Sequence, residues 1–326
     1  MTARGLLRLL IRLAVAAGLT AYILWKSHPA SVLAAARGAD WRPIAVAILL
    51  VLADRALMAY RWIALLCIVD PRERPPLAAT LRIFFVSTFV GTFLPASVGG
   101  DAVRAYSVTQ LQVGGGDAVA SVFMDRMLGV ASILLMALVG LTLAADLATN
   151  WTIVASLVVA GTACGAVLAL VFSARAAAIA ARTLDSLPAA LREPLDRVLQ
   201  SIRRYARHHG ALVNVLLCSV AVQVLRIVQA YFLGRGLGIS ASLGAYFAFV
   251  PLILLVMLLP ITFNGIGTSQ AAFVWFFARA GVAAAPAFAL SVLFVALGIV
   301  GNLPGALLYA FGRDSHPPRR DARVSG

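Results

Sequence analysis

Asp54-Arg55, Asp101-x-x-Arg104 and Asp125-Arg126 lie within or beside long apolar runs, and Arg226 stands in a further one. A charge at membrane depth is expensive unless it faces another charge or a wet cavity, so these residues need partners. The chemistry they suit is anion binding. Arginine donates parallel hydrogen bonds to a phosphate from a planar fork and stays charged when buried. We read Arg104, Arg126 and Arg226 as lipid head-group phosphate contacts, with Arg55 beside them and Asp101 and Asp125 orienting the guanidinium groups. The same residues admit a structural reading, in which Asp101/Arg104, at helical i,i+3 spacing, and Asp125/Arg126 are ion pairs that hold the backbone. Asp54 and Arg55 are adjacent, about 100° apart on a helix, which predicts partners on other helices. Arg61, near the end of its run, has scope to snorkel to the interface.

Two interrupted segments must position these charges. Gly91 to Arg104 passes from an apolar run through Pro95, Gly99 and Gly100 into the Asp101/Arg104 couple. Leu259 to Gly267 repeats the theme with Pro260, Asn264, Gly265 and Gly267. Both contain a Leu-Pro followed within a few residues by glycines. Gly/Pro-interrupted apolar segments at corresponding places in two halves point to a transporter site built from discontinuous helices, with these residues as hinges. Helix N-termini after Pro95 and Pro260 would add backbone donors for an anion.

Hydrophobic residues make up 62% of the 326 and charged residues 12%, which excludes a soluble globule of about 25% charged residues. The +14 net charge comes from arginines scattered between apolar blocks, without a basic run interleaved with aromatics, so nucleic acid is not the expected partner. Cys67, Cys164 and Cys218 form no C-x-x-C pair and read as small core residues. His28, His208, His209 and His316 lie in loops or tails, with no H-E-x-x-H and no nucleophile elbow. Neither a metal nor a cofactor is expected.

The fold expected is all-α: a polytopic inner-membrane protein of six full spans plus two re-entrant hairpins of broken helix, arranged as an inverted repeat. Residues 1–150 form the first half, with its broken segment at 81–112. Residues 151–312 form the second, with a basic cytoplasmic linker at 173–210 and a broken segment at 243–281, and 313–326 are a cytoplasmic tail. Leu6 to Trp25, about 20 residues, is long enough to be a retained first span rather than a cleaved signal. Gly114-Gly115-Gly116 reads as a flexible joint. Three crossings per half is an odd number, so the halves insert with opposite orientation. With the N-terminus inside, Arg4, Arg8, Arg12, Arg72, Arg74, the linker arginines and the tail arginines all fall on the cytoplasmic side, as the positive-inside rule requires.

At Pro95 to Arg104, Asp125-Arg126 and Pro260-x-x-x-Asn264-Gly265-Ile266-Gly267 the sequence resembles the lysylphosphatidylglycerol synthase transmembrane family. This is the flippase-like module also found as the N-terminal half of multiple peptide resistance factor, and the likeness runs over roughly residues 10 to 312. Membership implies a membrane protein that handles aminoacylated or other anionic phospholipids, or takes part in glycolipid assembly. Gln270 stands where the family leads us to expect an acid, and no aminoacyl-transferase domain is present, so synthase activity is not carried over. The function expected is therefore a flippase or transporter for an anionic phospholipid or lipid-linked substrate, not an enzyme. An intramembrane enzyme acting on lipid carriers and a non-transporting partner in lipid or glycolipid assembly remain the alternatives. Oligomeric state is not legible.

Overall fold

A computed structural model describes residues 38–69, 75–93, 98–143, 151–184, 188–258 and 268–311, and the regular structure among them is entirely helical. The helices are α1 (Trp41–Val69), α2 (Leu77–Gly91), α3 (Val98–Thr109), α4 (Gly115–Leu143), α5 (Trp151–Phe172) and α6 (Ala174–Leu184). They continue with α7 (Ala189–Arg204), α8 (His209–Gly236), α9 (Leu243–Leu258), α10 (Thr268–Ala278) and α11 (Ala284–Phe311). The proposed first span, the tail, Pro95, Pro260, Asn264, Gly265 and Gly267 lie outside the described residues.

Among the described residues, four helices, α1, α4, α8 and α11, are long and apolar enough to cross a membrane. Together with α5 they make this a multi-pass membrane protein. The apolar α5 meets α6 at a 94° bend, and there the composition changes from uniformly apolar to basic and amphipathic. A helix of that kind lies along an interface rather than through it.

The interrupted segments form two pairs of short helices. With 15 and 12 residues, α2 and α3 each fall short of the roughly 20 needed to span, as do α9 with 16 and α10 with 11. Within each pair the two legs pack on one another. Gly99 and Gly100 lie in the first turn of α3. Gly100 acts there by contact: a Cβ on it would meet the Gly91 Cα at 2.8 Å, so this glycine pair lets the two backbones touch.

Other packing crosses between the halves. α1 and α8 run antiparallel, with the Asp40 amide donating to the Gly236 carbonyl at one end and Arg61 to Ser219 near the other. The pair α2/α3 packs through α2 on α11, and α9/α10 packs through α9 on α4. Both long helices approach through glycine. A Cβ on Gly305 would sit 2.1 Å from the Phe85 carbonyl oxygen, and one on Gly140 would sit 2.6 Å from that of Ala248. Pro251, inside α9, has no amide to offer the Phe247 carbonyl, which lies 3.2 Å from the same Gly140 position. Around Tyr246, Phe249, Phe273 and Phe277 the second half builds an aromatic core of edge and stacked contacts.

Two expectations change at the N-terminus of α4. Gly115 and Gly116 are helical rather than a flexible joint, and Gly116 gives α7 room, since its Cβ would lie 3.3 Å from the Arg197 carbonyl. The basic linker is not merely a solvated loop. Arg204 pairs with Asp117, and the buried Tyr205 hydroxyl donates to the Leu65 carbonyl at 3.1 Å. Burial pushes the Tyr205 phenol up, so it remains a donor across the physiological range.

Replacing Gly305 with alanine should force α2 and α11 apart and lower stability by about 1–3 kcal/mol. Gly165, whose Cβ would meet nothing within 4 Å, should accept alanine without loss. Thermal unfolding of the purified variants in detergent checks both.

Candidate functional site

Asp125 of α4 is buried at the centre of the bundle. Arg61 of α1 donates from Nε to its Oδ1 at 2.6 Å, and the Arg104 Nη1 of α3 lies 3.5 Å from its Oδ2. Hydroxyl groups take further donors. Arg61 Nη1 donates to Ser219 Oγ at 3.1 Å, Arg104 Nε to Ser87 Oγ at 3.2 Å, and Arg104 Nη2 to Thr88 Oγ1 at 3.2 Å. The Arg104 guanidinium also lies over Phe84 and Trp62, 4.7 and 5.3 Å from the ring centroids, where the aromatic faces stabilise a cation. Arg61 therefore does not snorkel; a carboxylate within reach inside the bundle holds it there. Arg104, expected on the substrate, is enclosed by protein partners.

The neighbouring pairs exchange partners relative to the sequence reading. Arg126 Nε donates to Asp101 Oδ2 at 2.5 Å across the α3–α4 contact, while Arg104 turns to Asp125. Neither Asp101/Arg104 nor Asp125/Arg126 is the ion pair formed. Asp101 also occupies the first turn of α3, where the helix dipole favours an acid.

A second cluster joins α1 and α8. Asp54 lies between Arg226 Nε at 3.4 Å and Arg55 Nη1 at 3.6 Å, so Asp54 and Arg55 share a contact as well as using a second helix. Both guanidinium groups donate to the Met58 sulfur, and Arg55 reaches the Gly298 carbonyl of α11 at 3.4 Å. Gly301 makes room, because a Cβ there would stand 3.0 Å from Arg55 Nε. Gln223, Gln229 and Asn302 complete this polar region. Gln223 donates to Ser132 Oγ and Asn302 to Thr92 Oγ1.

Both clusters line one cavity of about 1560 Å³. Its lining also includes apolar residues, among them Trp151, Ala155, Val159 and Val167 of α5 and Val119 and Phe123 of α4. Arg55, Arg61, Arg104, Arg126 and Arg226 line it against Asp54, Asp101 and Asp125, five cations to three anions. The more exposed guanidinium groups are those of Arg126 at 43% and Arg226 at 22%, whereas Asp54 is 1% and Asp125 5% exposed.

Sequence reasoning did not find Ser87, Thr88, Ser219 or Trp62, whose types are ordinary in membrane helices. Their role depends on which helix faces which. At the second break, Ser269 donates to Gln270 Oε1 at 3.0 Å, the neutral residue occupying the place expected to hold an acid.

An all-helical membrane protein with paired short helices around a charged, half-apolar cavity is the class these features define. The chain belongs to the lysylphosphatidylglycerol synthase TM region family, whose model matches residues 9–305. No curated protein and no solved structure matches it.

Asp125→Asn should strand two buried guanidinium groups and destabilise the protein by about 3–5 kcal/mol. Asp101→Asn, whose partner Arg126 is half-exposed, should cost less than about 1 kcal/mol. Unfolding temperatures of the two variants, measured side by side, test this ranking.

Proposed function

We propose that this protein carries an anionic lipid between the leaflets of the cell membrane, holding the head group at the arginine-lined face and its chains along α5. One observation carries this reading: a single cavity pairs an excess of two cations with many apolar lining residues. Anionic amphiphiles match both faces, and a lipid-related family supports the assignment. No covalent step is needed, so the reading is of a transporter rather than an enzyme.

Its architecture in this proposal is an inverted repeat of six spans and two re-entrant hairpins. α1 corresponds to α8, α2/α3 to α9/α10 and α4 to α11. The antiparallel α1–α8 contact and the reciprocal seating of each short-helix pair on the other half's long helix support it. The run from Leu6 to Trp25 then supplies the first span and α5 its counterpart. Both termini and the α6–α7 linker lie on the cytoplasmic side of the inner membrane, as the arginine distribution requires.

The test is leaflet exchange of fluorescent phosphatidylglycerol in proteoliposomes containing the purified protein. Wild type should accelerate exchange over protein-free vesicles. Arg226→Ala and Arg55→Ala should each lower the rate about tenfold, the loss of one charge-assisted contact. Arg235→Ala, at the exposed end of α8, should leave it unchanged. Wild-type protein that folds, inserts and gives no acceleration would overturn the reading and favour a non-transporting partner.

A further inference from the structure

We propose that α6 and α7 form a lipid-binding surface separate from the cavity, which docks on the anionic head groups of the leaflet at one end of the bundle. This surface needs no transport: a chain that moved no lipid would still carry it.

Its placement follows from what it is fastened to. α5 ends in a 94° bend, so α6 runs roughly across the direction in which α5 crosses the membrane. α7 and the turn after it are tied across helix ends: Arg204 to Asp117 in the first turn of α4, the Arg197 carbonyl against Gly116, and the Tyr205 hydroxyl to the Leu65 carbonyl near the end of α1. Phe172, the last residue of α5, stacks on His209, the first of α8, with ring centroids 5.5 Å apart. Thus α1, α4, α5 and α8 all begin or end beside α6 and α7. That is the level of the lipid head groups.

The side chains fit that level. Along α7, Leu191, Leu195, Val198 and Ile202 recur at i, i+4, i+7 and i+11 and make one apolar stripe. Ile202 is buried with Leu65, Ala120 and Met124, and Val198 packs beside it, but Leu191 and Leu195 are 57% and 45% exposed. The stripe outruns the protein that covers it. Arg192 and Arg203 flank it on one side and Arg197 and Arg204 on the other, while Glu193 and Asp196 lie on the far side of the helix. On α6, Ile179 is 62% exposed and stands on one face with the exposed Arg175 and Arg182, at i−4 and i+3. From Ala174 to Arg207 the sequence has seven arginines and three acids. Apolar side chains flanked by arginines match an anionic lipid surface, where the former reach the acyl boundary and the latter stay with the phosphates. A second copy fits worse, because a twofold contact would set the same arginines against each other.

The experiment uses the full chain in nanodiscs of phosphatidylcholine with increasing phosphatidylglycerol. Hydrogen exchange of the unsubstituted protein should slow over residues 174–204 as phosphatidylglycerol is added, and about 1 M salt should reverse the change. A fluorophore on single cysteines, with Cys67, Cys164 and Cys218 replaced by alanine, then locates the contact. At Ile179→Cys, Leu191→Cys and Leu195→Cys it should be quenched by phosphatidylglycerol spin-labelled on its chain. At Gln200→Cys, on the far side of α7, it should not. Arg182→Gln should raise the phosphatidylglycerol fraction needed for half the effect about fivefold. Arg175→Gln, Arg182→Gln and Arg203→Gln together should remove the dependence. Unchanged exchange, an equal effect in phosphatidylcholine alone, or equal quenching at Leu191→Cys and Gln200→Cys would each overturn the proposal. Protection that persists in detergent without anionic lipid, with crosslinks between copies through Leu191→Cys, would also overturn it and assign the face to a second copy.

Discussion

Asp125 holds two guanidinium groups from two other helices in the interior of a membrane bundle, and the position of every charged residue around the cavity follows from that. One carboxylate cannot neutralise two arginines, so hydroxyls from Ser87, Thr88 and Ser219 and the faces of Phe84 and Trp62 complete the shell. With α1, α3, α4 and α8 tied at this point, Arg126 is left to Asp101 and Arg226 to Asp54. Replacing such a triad by apolar residues of similar volume can leave stability unchanged, so its retention here is better understood as fixing the register between helices. It sets how far the α2/α3 pair enters the bundle.

The division of labour among the arginines is a matter of saturation. Arg61 and Arg104 are paired with Asp125 and bonded to hydroxyl groups, and their side chains are at most 7% exposed. Arg126, Arg226 and Arg55 hold looser or more exposed positions and line the cavity. The same residue type thus lies enclosed by partners in one place and more open to the cavity in another. Backbone contact through glycine makes both arrangements possible, because Gly91, Gly100, Gly140 and Gly305 bring helices close enough for short polar side chains to reach across.

Much of this was legible in the residues themselves. Uniformly apolar runs marked the spans, and short helices flanking Pro95 and Pro260 were expected from the breaks. Which charge meets which was not legible. Asp101 and Arg104 lie one turn apart, and Asp125 and Arg126 are neighbours, so local spacing favoured pairs that the α3–α4 contact instead exchanges. A partner on another helix lies at no fixed distance along the chain. The same reason hid Arg61, whose position near a span end suggested the interface, and Gly100, whose composition suggested a hinge where the structure uses it as a flat surface.

The excess of two positive charges has a consequence for the membrane as an insulator. A water-filled space between leaflets is a hazard in a membrane that stores energy as an ion gradient. Fixed cations in a low-dielectric wall repel protons and metal ions, as cationic constrictions do in water-selective pores. In the proposed carrier, the lining that would attract a phosphate would therefore also keep the empty cavity from short-circuiting the bilayer.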